Sequence, residues 1–188
     1  IILAAVVEKN GRALMLPAPP GSGKSTLCAA LVSRGWRLLS DELTMIALDD
    51  GLVMPLARPV SLKNASIPVM QAYAPDAEFT RPAMDTTKGT VAHMKVPDAS
   101  VARATEPAKL AWVVFPRYQA GAELTLTPIP RARAFIRVAE NAFNYSLTGA
   151  RGFHALGRVM GDCDSFEFTY SVLDEAIALF DGLSETSR

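Results

Sequence analysis

The residues best suited to do chemistry lie in one stretch. An apolar run, Leu14-Met-Leu16, breaks into Pro17-Ala-Pro-Pro-Gly-Ser-Gly-Lys-Ser-Thr26 and continues into Leu27-Cys-Ala-Ala-Leu31. The order is that of a strand, a Gly-rich turn and a helix, in which the turn aims several backbone N–H groups at one point and the helix adds its positive dipole end. Such a cradle suits a nucleoside triphosphate. Lys24 supplies a full charge for the β- and γ-phosphates, Ser25 the hydroxyl that ligates Mg²⁺, and Thr26 a second phosphate donor. The spacing Ala18-x₄-Gly23-Lys24-Ser25 follows the Walker A pattern except that alanine stands at its first position. Alanine is tolerated there if the backbone needs no positive φ. Pro19 and Pro20 remove two N–H donors, so the anion nest must come from residues 21 to 26, with Pro20, Gly21, Ser22 and Gly23 shaping it.

A second group, Asp41-Glu42, ends the apolar run that follows the helix, 18 residues beyond Lys24. Strand ends beside a phosphate loop face the nucleotide crevice. One carboxylate there can hold Mg²⁺ directly or through water, while the other accepts a proton from an attacking hydroxyl or water. The plainer alternative is a solvated acidic turn.

The elements that must position these groups are readable in outline. Residues 1 to 7 and 13 to 17 are apolar runs joined by Lys9-Asn10-Gly11, a hairpin signal. The first run is too short to cross a bilayer, has no basic leader, and is expected to be a strand. Leu27 and Leu31 share a helical face and Gly35 supplies a stop, which predicts a helix of about ten residues. Trp36 to Leu48 reads as a strand interrupted at Asp41-Glu42, and Asp49-Asp50-Gly51 turns it into Leu52-Val-Met54 as a second hairpin. Residues 55 to 110 carry seven of the thirteen prolines and predict loops with short strands, a short helix near Val69 to Tyr73, and no domain boundary. Strands are expected at Leu110–Phe115, Glu123–Thr127 and Ser165–Tyr170. Helices are expected over 131–143, through Phe153, Leu156, Gly157 and Met160, and from Leu173 to Phe180, the last capped by Ser171 with Asp174.

Composition narrows the function classes. With 49% apolar and 20% charged residues, the 188-residue chain can bury a core as one domain spanning 1–188. Nineteen basic residues balance nineteen acidic ones, so no net field draws in nucleic acid or an anionic membrane. Cys28 and Cys163 fit neither a disulfide framework nor a metal-ligand spacing, which predicts a reducing, cytoplasmic setting. His93 and His154 have no ligand-spaced partners, so metal coordination by them is not expected.

Gly21-Ser-Gly-Lys-Ser25 followed by Arg34-Gly-Trp-Arg-Leu-Leu-Ser-Asp-Glu42 resembles, without a gap, the catalytic domain of bacterial HPr kinase/phosphorylase. Arg58-Pro-Val-Ser-Leu-Lys-Asn64, Thr87 to His93, Val114-Phe-Pro-Arg117, Asn141-Ala-Phe-Asn-Tyr145 and Leu173 to Ile177 resemble the HPr-kinase-related kinase A group. The resemblance implies an α/β fold: a P-loop kinase domain of the HPr kinase/PEP carboxykinase type, with a mixed sheet, hairpins and outer helices. It further implies ATP and Mg²⁺ as cofactors, a serine-like hydroxyl of a protein or peptide as phosphoacceptor, and assembly into homo-oligomers. By position Lys24 and Ser25 become the phosphate and Mg²⁺ residues, Asp41 the preceding aspartate and Glu42 the proton acceptor. Two departures, Leu3 where the family has a histidine and the absence of the Glu-x-Arg-Gly signature from residues 55 to 75, argue against the reverse phosphorylase reaction. They also leave room for a non-catalytic nucleotide-binding module. Arg58, Lys63 and Lys88 are the cations expected near the phosphates. Arg131 or Arg133 loosely matches the family's Pro-Gly-Arg-Asn loop, and His93 is a further candidate for touching substrate.

Overall fold

The computed structural model describes residues 1–186 and has mixed α/β content. The chain enters as an antiparallel hairpin, β1 (Ile2–Lys9) and β2 (Arg12–Pro17), turning at Asn10 and Gly11. Both turn residues have positive φ, 55° and 78°. A two-residue turn of this hand matches strand twist, which is why Asn-Gly serves here. From β2 the Gly-rich loop leads into α1 (Lys24–Ser33), buried continuously from Leu27 to Val32.

Beyond α1 the chain returns along β1 twice, as β3 (Arg37–Ser40) against Val6 to Glu8 and as β4 (Leu43–Ile46) against Ile2 and Leu3. The interruption between them falls at Asp41-Glu42, as the sequence predicts. Thr44, fully buried, donates its hydroxyl to the Ala4 carbonyl at 3.1 Å and so holds the chain to β1 just past the break. β5 (Val53–Met54) completes the second hairpin.

Residues 55 to 110 hold more regular structure than expected. β6 (Val60–Lys63), β7 (Ala83–Thr86) and β8 (Gly89–Met94) form a separate antiparallel sheet in the order β6-β8-β7, with α2 (Ser66–Tyr73) and the single turn α3 (Asp98–Ala102) beside it. The proline count hid these strands because prolines flank them and none lies inside. Val60, Leu62, Ala92 and Met94 face α1 and enter the same core.

β9 (Lys109–Tyr118) then runs through the centre of the main sheet, flanked by β2 and by β11 (Asp164–Tyr170), both parallel to it. It outruns the expected Leu110–Phe115 at both ends and contains Pro116. Pairing with β2 stops at Val113, so the N–H missing at Pro116 has no ladder position to leave empty. β10 (Thr125–Pro128) is antiparallel to β11 at one edge, and the eight-stranded sheet reads β10-β11-β9-β2-β1-β4-β5, with β3 also on β1. α1 and α6 (Leu173–Glu185) share one core cluster with α2; α4 (Arg131–Glu140) and α5 (Tyr145–Gly161) pack in the second.

Two expectations change. α4 ends at Glu140, not 143. The helix expected through Phe153 to Met160 lies within α5, which kinks at Gly149, whose φ of 52° and ψ of −135° are not helical. The Ser171–Asp174 capping box does not form: the N-cap of α6 is Val172, the Ser171 hydroxyl donates to the Ala122 carbonyl at 2.7 Å, and Asp174 accepts from the Tyr73 hydroxyl at 2.7 Å. A tertiary partner outcompeted the local one for each side chain.

Candidate functional site

The carboxyl ends of β2, β9 and β11 point the same way, and the Gly-rich loop leaves the sheet at that edge. There a cleft of about 770 Å³ opens, within the ordinary size of small-ligand sites. Its floor is Ala18 to Thr26. The β1–β4 side contributes Leu3, Asp41 and Glu42, the second sheet Ser61 and Lys63, and α2 with its entry turn Asn64 to Ser66, Val69 and Tyr73. Tyr118, Tyr170 and Ser171 to Asp174 complete the lining.

The loop is held from behind. The Tyr118 amide donates to the Ser22 carbonyl at 3.0 Å, and the Tyr170 hydroxyl donates to the Gly23 carbonyl at 3.1 Å. Burial, with a lesser contribution from Tyr118, pushes the Tyr170 phenol well up, so it stays a donor through neutral pH. Gly21 and Gly23 both have positive φ, and a Cβ on Gly23 would stand 2.7 Å from the Tyr170 hydroxyl and 2.8 Å from the Tyr118 Cβ. Only glycine fits that position. Ala18 is not among the positive-φ residues, which removes the steric objection to alanine there. Gly23 is the N-cap of α1 and has no side chain to cap with, so the first amides of the helix stay open toward the cleft.

Lys24 crosses the cleft floor and donates its ammonium to the backbone carbonyl of Asp41 at 2.8 Å. The Asp41 side chain is only 5% exposed. One of its oxygens accepts the Ser61 amide at 3.0 Å, and the other, Oδ1, is buried without a hydrogen-bond partner among the described residues. The buried Ser22 hydroxyl is likewise unpartnered. A buried carboxylate oxygen or hydroxyl left without any partner costs about 1–3 kcal/mol, more for the carboxylate. Glu42 is exposed, and its carboxylate makes no hydrogen bond or ion pair within the described residues.

The fold therefore gathers Lys24, Ser25, Thr26, Asp41, Glu42 and Lys63 with Pro20 to Gly23 in one cleft. Arg58 and Lys88 are not among its lining residues: Arg58 precedes β6 in an exposed stretch, and Lys88 is exposed in the β7–β8 turn. His93 pairs across the strands with Ser61 but is exposed outside the cleft, and His154 lies exposed on α5 against Phe153. Arg131 and Arg133 are on α4, where Arg133 meets Glu167 at 3.3 Å, away from the loop. Leu3 also lines the cleft.

Reasoning from motifs missed part of the lining. Tyr118 and Tyr170 end the parallel strands β9 and β11, and their only signal is an aromatic residue closing each; Val172 is the N-cap of α6. Tyr73 and Asn64 were missed as well. Among the described residues no cluster of three or more His, Cys, Asp or Glu could by itself hold a metal. A divalent ion at this site would take Asp41 Oδ1 and the Ser25 hydroxyl and complete its shell with phosphate and water oxygens, the mode Mg²⁺ favours.

No protein-family model matches the chain, and no curated protein matches it. The fold and cleft describe a mixed α/β protein with a mixed sheet, and no helix among the described residues is long and apolar enough to cross a membrane.

Proposed function

We propose that this chain is an Mg²⁺-ATP-dependent phosphotransferase, a P-loop kinase domain of the HPr kinase/PEP carboxykinase type, which moves the γ-phosphoryl group to a serine-like hydroxyl of a protein or peptide. The observation that carries the reading is the buried Asp41 Oδ1, without a protein partner among the described residues, in the same cleft as Lys24 and the open amides of α1. A buried carboxylate that forgoes a partner beside an anion cradle is suited to a cation that arrives with the anion.

In this reading the amides of residues 21 to 26 and the Lys24 ammonium bind the phosphates, leaving the Asp41 carbonyl to do so. Asp41 and Ser25 hold Mg²⁺, which neutralises charge on the phosphate oxygens when bound. Lys63 stands over the cleft as a further cation for the transferred group. Glu42, solvated and unengaged, accepts the acceptor's proton if it comes within about 3 Å of that hydroxyl. Catalysis is then positioning and charge stabilisation.

Leu3 in the cleft, where a titratable residue would serve the reverse reaction, favours transfer in one direction; it also supports the second reading, a regulatory module that binds nucleotide without turnover. Incubation with γ-labelled ATP and candidate peptides separates the two. Lys24→Ala is expected to abolish binding and transfer, and Glu42→Gln to retain binding while losing about 10²-fold or more in transfer. A Glu42→Gln protein as active as the parent removes the proton-accepting role, and tight binding with no labelled product favours the module.

A further inference from the structure

Beyond the Gly-rich loop, the cleft is lined by two further elements. One is α2, through Val69 and Tyr73; the other is the head of α6, through Val172 and Leu173. Val69 is 47% and Val172 46% exposed, so a branched apolar side chain from each element stands open in the cleft that begins at the Gly-rich loop. The two elements are tied together at one point. The Tyr73 hydroxyl donates to Asp174 at 2.7 Å, the Arg34 guanidinium lies over the Tyr73 ring at 4.4 Å from its centroid, and Arg34 and Asp174 approach to 3.8 Å. Desolvation first, and then the bond to Asp174, raises the Tyr73 phenol, which keeps it the donor of that bond at neutral pH.

We propose that this groove is the nucleobase subsite: a planar base lies between Val69 and Tyr73 on one side and Val172 and Leu173 on the other, with the Asp174 carboxylate accepting from an exocyclic amino group. The inference rests on the triphosphate reading of the loop, because the groove and the loop are one continuous cleft and a base tethered to phosphates at Lys24 has this groove within the same cavity. Flat apolar walls recognise a π-face without reading its edge. A carboxylate can only accept, so it favours bases that present N–H₂ over those that present a carbonyl at the same place. The Tyr73–Asp174 bond, buttressed by Arg34, sets the spacing between the walls.

Titration calorimetry in Mg²⁺ with ATP, inosine triphosphate and inorganic tripolyphosphate tests it. Val69→Trp, which fills the groove at an exposed position, and Tyr73→Ala are each expected to weaken ATP about tenfold while leaving tripolyphosphate within about twofold. The parent should prefer ATP to inosine triphosphate by about 3- to 10-fold, and Asp174→Asn should erase that preference. Equal losses for ATP and tripolyphosphate, unchanged ATP affinity in both groove variants, or a loss confined to Tyr118→Leu would each overturn the subsite. The loop reading fails separately, if the parent binds neither ATP nor tripolyphosphate or if Lys24→Ala binds both as the parent does.

Discussion

Two buried carboxylates sit near opposite ends of β3, and they are treated differently. Glu8, 2% exposed, accepts the Gly11 amide at 2.6 Å with one oxygen and the Arg37 guanidinium at 2.5 Å with the other, while Arg103 approaches to 3.4 Å. Arg37 Nη1 donates to the Arg103 and Glu106 carbonyls at 3.0 and 2.8 Å, and Ser100 accepts the Leu38 amide at 3.0 Å. Both Glu8 oxygens are answered, and the network fastens α3 and the turn after it to the edge of β3. Asp41, at the cleft end, has one oxygen answered and one without a protein partner among the described residues. A charge closed on all sides serves the fold; one left half open is available to something that comes and goes.

The comparison can be broken first at the satisfied end. Arg37→Leu should cost about 3–5 kcal/mol of unfolding free energy, measured in urea, because the buried Glu8 charge is left with only the longer, half-exposed Arg103 contact and the Gly11 amide. The phosphate affinity of the remaining folded protein should not change. A loss below about 1 kcal/mol would mean Glu8 is not held as the geometry indicates. Next comes Tyr170→Phe, which removes the hydroxyl bonded to the Gly23 carbonyl and should cost about 1 kcal/mol, together with a weaker hold on phosphate as the loop loosens.

Asp41→Asn sharpens the contrast from the other side. Removing the half-answered carboxylate should leave stability within about 1 kcal/mol of the parent, or raise it, while the Mg²⁺ dependence of ATP binding disappears. If Asp41→Asn destabilises as strongly as Arg37→Leu, the two carboxylates are alike and the metal role falls. The smallest effect expected belongs to the thiols. Burial pushes Cys28 well up and Cys163 up to about 12 from an ordinary 9.0, with neighbouring carboxylates adding to both. Both should therefore resist a thiol-specific reagent in the native state. An unfolded thiol ionises above about pH 9 while the folded one holds its proton, so stability should fall with rising pH above that value, by at most about 1.4 kcal/mol per unit for each thiol.

Local patterns announced the first half of the main sheet well. Asn10-Gly11 has the backbone its sequence calls for, the Gly-rich loop lies between the strand and helix that flank it in sequence, and the break at Asp41-Glu42 falls between β3 and β4. These are features in which the signal and the structure lie within a few residues of each other. The middle of the chain was harder. Val60–Lys63 and Gly89–Met94 are too short to show a period and are stabilised mainly by each other and by α1. Ser171 and Asp174 failed as a cap for the related reason that Ala122 and Tyr73, 49 and 101 residues away, offered better partners.

From the amino-acid order alone came the Gly-rich loop between strand and helix, the acidic pair 18 residues beyond its lysine, and the hairpin that delivers the strand before it. Each depends on backbone preferences and on spacings that one element can satisfy. Tertiary structure decided which of Arg58, Lys63 and Lys88 reaches the cleft, which oxygen of Asp41 goes unanswered, and what else lines the cleft. Those depend on where strand ends from distant parts of the chain are carried by the sheet order, and burial and hydrogen-bond partners exist only once that order is built.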